Sequence, residues 1–172
     1  SEAAGAFVAD IATELARHLP VRVVAPGRLG GEIDERNGVQ VRRFVSPGRP
    51  LSLLSPLSPR DWPAILGVLG SLRSQALAAA SDGRVAHVLA LWALPCGWAA
   101  RLVKRRFGVP YSVWVLGSDI WSLGRLPVVR SLLRQVLSEA SGRYADGLLL
   151  AGDAEQIAGA AFDFLPSARS LE

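Results

Sequence analysis

Residues 91–120 read LWALPCGWAARLVKRRFGVPYSVWVLGSDI, and their pattern decides the fold. A strand end at Leu91 runs into a tight turn, a helix, a Gly-x-Pro break at Gly108–Pro110, a buried strand and a small polar loop, Gly117-Ser118-Asp119. In an open parallel α/β sheet, ligands bind in the crevice outside the carboxyl ends of the strands. Leu91–Gly97 and Leu116–Asp119 are therefore expected as two loops on one rim. The pattern supplies a place to bind and no obvious group to do chemistry.

Working outward, strands and helices alternate. Val8, Ile11, Ala12, Leu15 and Leu19 fall on one helical face, and Pro20 ends that helix. Val21–Ala25 reads as a short buried strand, Pro26–Asn37 as a Gly- and charge-rich loop, and Val39–Val45 as a partly alternating strand. Pro47–Pro59 is too apolar for a linker and suits an irregular segment packed on the surface. Ile65, Leu69, Leu72 and Ala76 mark a second long helix, closed near Asp82-Gly83. Val85–Leu91 is continuously apolar, the pattern of a strand covered on both faces. Pro95 is expected to open the next helix, with Ala99, Leu102, Val103 and Phe107 towards the core. Tyr111–Leu116 is a strand and Val128–Leu137 a helix with a wide apolar face. Gly147–Ala151 reads as another strand, Asp153 with Gln156 as a capping box opening a short helix, and Phe162–Leu165 as a last strand. This alternation implies an α/β domain, a Rossmann-like, doubly wound, mainly parallel sheet with helices on both faces. One domain over residues 1–170 is expected, with Leu171-Glu172 read as a vector-derived tail.

Composition fits such a domain. The 172 residues are half apolar and one-fifth charged, which excludes a disordered chain. The net charge is +4, and Lys104 is the only lysine. Arginine suits bidentate contact with carboxylate or phosphate. Cys96 stands alone, so no intramolecular disulfide is possible and a reducing compartment fits. The longest apolar run, Val88–Leu94, is too short to span a bilayer. A cytoplasmic location is expected, with peripheral contact at the inner face of the membrane.

The chemical inventory is sparse. His18 and His87 are the only histidines, and with one cysteine they make no metal constellation. Ser118 has no Gly-x-Ser-x-Gly elbow around it. Binding residues are easier to nominate. Ala3-Ala4-Gly5, leading into the first helix, suits either a phosphate-facing backbone turn or an ordinary helix start. Gly117 allows close backbone approach, while Ser118 and Asp119 offer hydrogen bonds; Asp119 also suits a turn in which it caps backbone donors. Trp92, Trp98, Trp114 and Trp121 gather around the expected rim; Trp114 suits the core, and Trp92 and Trp121 suit either stacking on a sugar or lining an apolar groove. Eight basic residues between Arg101 and Arg143 face only Asp119 and Glu139 in sequence, a pattern fitting either a solvated helix face or an anionic surface. No aromatic-basic motif points to nucleic acid.

The same residues carry a resemblance. Leu91-Trp-Ala-Leu-Pro-Cys-Gly-Trp-Ala-Ala, Gly108-Val-Pro and Gly117-Ser-Asp-Ile resemble the amino-terminal domain of family 4 glycosyltransferases. Gly5 with the following LARHLPVRVVAP, and Tyr144-Ala-Asp-Gly before an apolar run, extend the likeness over nearly the whole chain. The resemblance implies a GT-B enzyme of two Rossmann-like domains, a retaining transferase whose chemistry needs no metal or other cofactor. The amino-terminal domain would hold a glycan or lipid-linked acceptor. A second domain with a Glu-x7-Glu motif would hold most of the nucleotide-sugar donor, leaving the present chain inactive alone. The chain departs from the family in several places: Leu116 stands where a histidine is common, as do Leu89 and Leu91, and Gly152-Asp153 replaces a serine. No catalytic residue is therefore assigned; the substrate-binding set is Gly5, Trp92, Gly117, Ser118, Asp119 and Trp121. The alternative is a non-catalytic Rossmann-like module binding a partner protein or an anionic surface.

A doubly wound domain normally begins with a central strand, expected here between the strands starting at Val21 and Val85. With that slot open, the sheet is expected to close by rearrangement or with a second copy, giving a homo-oligomer.

Overall fold

The computed structural model describes residues 2–28, 31–46, 54–55 and 57–167. Leu171-Glu172 and positions 47–53 and 56 of the Pro47–Pro59 segment lie outside the described residues. The chain divides between Ala79 and Ala80 into two compact units.

The first unit holds α1 (Glu2–Ala16), β1 (Val21–Gly27), β2 (Ile33–Arg36), β3 (Val39–Val45) and nearly all of α2 (Trp62–Ala80). Its strand order is β1-β3-β2, with β1 parallel and β2 antiparallel to β3. β2 corrects the expectation of a loop from Pro26 to Asn37. The connecting Asn37-Gly38 pair has φ of 51° and 75°, the conformation that tight hairpins require and Asn-Gly favours. Pro26 sits within β1, where its missing N–H is tolerated because β1 is an edge of this sheet. Arg22 Nη1 donates to the Ala79 carbonyl at 2.7 Å, and the Val45 N–H donates to Ser71 Oγ at 2.8 Å. These bonds fix α2 to both parallel strands. Gly5 lies inside α1 and not in a loop before it. Its neighbours Ala3, Ala4 and Ala6 are of the best helix-forming type, against a cost of about 1 kcal/mol for the interior glycine.

The second unit is β4 (Val88–Leu91), α3 (Trp98–Phe107), β5 (Tyr111–Val115), α4 (Ser118–Trp121), α5 (Pro127–Ser138), β6 (Gly142–Ala145), α6 (Leu148–Ala158) and β7 (Asp163–Phe164). All four strands are parallel, in the order β4-β5-β6-β7. With its helices this is an α/β, mainly parallel, Rossmann-like fold. Every residue of β5 is buried. Tyr111, Val113 and Val115 share one core with Leu133, Val136 and Leu137 of α5 and Leu150, Ala154 and Ile157 of α6. Each fully buried aliphatic side chain contributes roughly 1.5–3 kcal/mol, so this cluster anchors the unit.

Several boundaries differ from the sequence reading. β4 starts at Val88, not Val85, and Leu89 on it is 40% exposed, so the strand is not covered on both faces. α3 starts at Trp98; Pro95 belongs to the irregular turn Ala93–Gly97 before it. Phe107, at the end of α3, is exposed. The run Gly147–Ala151 is no strand: α6 begins at Leu148, and the strand is Gly142–Ala145. Four consecutive apolar residues fit either period. The wider burial pattern, at Leu150, Ala151, Ala154, Ile157 and Ala158, is helical. Asp153 is accordingly in mid-helix and not a cap.

Candidate functional site

The Gly-x-Pro break works as read. Gly108 closes α3 in the left-handed conformation at φ 73°, its N–H bonded to the Lys104 carbonyl at 2.8 Å. The chain is thereby turned into β5, whose carboxyl end delivers Gly117. Ser118 and Asp119 lie in the first turn of α4, not in a loop, so only Leu116 and Gly117 separate β5 from the helix.

Asp119 is the hub of this rim. It is 1% exposed. Oδ2 accepts the Ala93 N–H at 2.6 Å, and Oδ1 accepts the Gly117 N–H at 3.2 Å. One carboxylate thus ties the turn after β4 to the turn after β5. Burial pushes its carboxyl above the usual carboxylate range, against the backbone hydrogen bonds, led by Ala93, that hold it down. Both oxygens are engaged by backbone donors, so Asp119 positions the two turns. The turn it holds carries strain: Trp92 has φ 72° and ψ 134°, a region that costs a non-glycine residue about 1–3 kcal/mol. Trp92 donates its N–H to the Trp114 carbonyl at 2.9 Å and accepts from the Gly97 N–H at 3.1 Å.

Gly117 is required twice over. Its φ is 114°, and a Cβ there would lie 3.1 Å from the Trp121 ring. The Trp121 indole packs on this glycine and donates Nε1–H to Asp153 Oδ2 at 2.8 Å. Fixed at both ends, the ring is still 49% exposed. The Ser118 hydroxyl is exposed and makes no hydrogen bond among the described residues. Beside Trp121 the surface is concave, lined by Trp121, Arg125, Arg130, Asp153 and Gln156 over Ile157.

The structure therefore gathers Trp92, Gly117, Ser118, Asp119 and Trp121 at the carboxyl rim of the second unit, while Gly5 belongs to the first unit. Asp153, Arg125 and Arg130 escaped the sequence reading. In the sequence Asp153 has the spacing of a capping box, and the two arginines are part of a general basic run. The run is mostly structural. Arg101 bonds Gln135 and Glu139 at 2.9 and 2.7 Å, Lys104 bonds the Glu139 carbonyl, Arg105 reaches Glu139, Arg134 bonds the Ile157 carbonyl, and Arg143 bonds three carbonyls. Arg106 lies over the Phe107 ring at 5.8 Å.

Cys96, half-buried in the turn after β4, carries a suppressed thiol. Burial first, then the Asp119 charge, pushes its thiol up to about 12, so it is neutral at physiological pH. Among the described residues no group of three or more His, Cys, Asp or Glu side chains could hold a metal ion, and no helix is long and apolar enough to cross a membrane. No protein-family model and no curated protein matches the chain.

Proposed function

We propose that the chain is the acceptor-side domain of a retaining glycosyltransferase, moving a sugar from a nucleotide-sugar to a glycan or lipid-linked acceptor. A second domain outside these 172 residues would contribute most donor contacts. One observation carries the reading: Asp119 draws two post-strand turns into a single rim beside a fixed, half-exposed indole. An indole face suits the C–H face of a pyranose, and the free Ser118 hydroxyl offers it a hydrogen bond. The sequence motifs at Leu91–Ala100 and Gly117–Ile120 give the same direction.

The test is a transfer assay on the full-length protein, run against a panel of nucleotide-sugars beside the 172-residue chain alone. Transfer by the full-length protein only is expected. Comparable transfer by the chain alone, or none by either, contradicts the proposal.

A second reading is a non-catalytic module that binds a partner or an anionic surface. It is favoured by the state of the two most reactive groups at the rim: Asp119 is saturated by backbone donors and Cys96 is a neutral thiol. Full-length protein that binds ligands at this rim without transferring sugar would select it.

A further inference from the structure

We propose that the concavity beside Trp121 binds a sugar phosphate, with Arg125 and Arg130 holding the phosphate and Trp121, Asp153 and Gln156 holding the sugar. This deepens the acceptor reading, on which it rests for its role, by naming the chemical class of the acceptor.

The two arginines are set apart from their neighbours. Of the eight basic residues between Arg101 and Arg143, five bond carboxylate, amide or carbonyl oxygens of the protein and Arg106 lies over a ring. The Arg125 and Arg130 residues are exposed, and their guanidinium groups have no hydrogen-bond or ion-pair partner among the described residues. Both line the same hollow. Arg134, one turn further along α5 from Arg130, is by contrast committed to the Ile157 carbonyl at 3.1 Å. Two forked donors on one concavity match the tetrahedral oxygens of a phosphate, which guanidinium binds in bidentate fashion.

The remaining walls argue against a bare anion. Asp153 opposes one negative charge to the two arginines, which disfavours inorganic phosphate and suits a ligand that also carries hydroxyl donors. Its Oδ2 already accepts the Trp121 indole N–H, leaving Oδ1 for such a donor. Gln156, also on α6, offers both a donor and an acceptor. The indole, braced by Gly117 and Asp153, presents a rigid apolar face for a sugar ring at little entropic cost. Phosphate, hydroxyls and ring are thus each met by a different wall.

A sugar phosphate reaches a protein either free in solution or as the head of a polyprenyl phosphate lipid. Leu148 and Leu149, 73% and 85% exposed at the start of α6, stand one turn before Asp153 and would face the lipid in the second case. Calorimetry on the 172-residue chain separates the sources, with glucose 1-phosphate, glucose and inorganic phosphate as soluble probes. Phosphatidylcholine vesicles bearing a sugar-linked polyprenyl phosphate, against plain vesicles, form the lipid arm.

The chain should bind glucose 1-phosphate more tightly than glucose or inorganic phosphate. Arg130→Ala should weaken binding about tenfold, and the Arg125→Ala/Arg130→Ala pair should weaken it further, as loss of charge-assisted bonds implies. Arg106→Ala, which lines no part of the hollow, should bind as the wild type does. Arginine-dependent binding confined to the lipid vesicles, and weakened by Leu148→Ser/Leu149→Ser, assigns the lipid-borne source. No saturable binding in either arm, or binding indifferent to the double arginine variant with its melting temperature intact, overturns the site. Arginine-dependent binding in a full-length protein that transfers no sugar overturns the transferase reading and leaves the site standing.

Discussion

Asp119 accepts the backbone N–H of Ala93 through Oδ2 at 2.6 Å, across 26 residues of chain. With the Gly117 N–H on its other oxygen, it is the pin between two turns. Asp119→Ala would leave two buried donors unpaired and should destabilise the chain by about 2–4 kcal/mol. Asp119→Asn keeps one acceptor and should cost less. The carboxyl pKa is raised in the folded state, so this group stabilises most below the ordinary value of 3.8, and its contribution falls as pH rises through the raised value. The deficit of Asp119→Asn should therefore be larger in acid than at neutral pH. Urea titrations at several pH values check both points; an unaltered midpoint for Asp119→Ala would remove the pin.

Glu139 obeys the opposite sign. The hydrogen bond from Arg101, 2.7 Å away with its own side chain only 8% exposed, holds the glutamate below its usual value of about 4.5. Its stabilisation is present above that value and is lost as pH falls through the depressed one. Glu139→Gln should cost about 1–3 kcal/mol at neutral pH, because Arg101 is left buried without its carboxylate. The gap from wild type should close in acid. A gap constant over the whole range would mean that the pair contributes no charge-dependent stability.

Cys96 should resist alkylation. With its thiol pushed up to about 12, the thiolate is scarce at neutral pH. Iodoacetamide should label the native chain at least about tenfold more slowly than the unfolded chain. Equal rates would mean that the half-buried thiol is not perturbed.

Two glycines should fail for different reasons. Gly97→Ala places a Cβ 2.7 Å from Val136 Cγ1 and 3.3 Å from Val113 Cγ2; the cost, about 1–3 kcal/mol, is overpacking of the core. Gly117→Ala adds backbone strain at φ 114° to a contact with the Trp121 ring. It should cost a similar amount and also displace the indole. The Trp121 indole N–H resonance separates them, moving strongly in Gly117→Ala and little in Gly97→Ala.

β1 and β4 each pair on one side only within their own sheets. Such edges recruit strands from other copies, and self-association is expected in light scattering at high concentration. Leu89→Lys, at the exposed position of β4, should shift the population towards monomer. A monomer at every concentration would count against a homo-oligomer.

The sequence was legible where one signal dominated. Val39–Val45 has the bounds read from it, and the apolar β5 stands between the Gly108 break and Gly117 as expected. It misled where local pattern and tertiary packing competed. Leu148–Ala151 fits a strand by composition, and only burial on one helical face makes it α6. β2 is four mostly polar residues, weak as a strand alone, and its one clear signal was the Asn37-Gly38 turn. At the site, the rim and the closeness of the two turns were readable from topology. That Asp119 would spend both oxygens on backbone donors, and that Asp153 would reach Trp121 from another helix, depends on distances between elements that no spacing encodes.

The order β4-β5-β6-β7 repeats the order of the chain itself. Each crossover returns to the strand just laid down, so every new strand meets a finished template edge, and no position waits for a distant segment. Strand pairings in the second unit join only neighbours in the chain, which keeps the loop-closure entropy of each addition as low as a parallel sheet allows. A ribosome delivering this unit supplies its strands in the sequence in which they can be added, and the cover of β5 is complete once α6 follows β6.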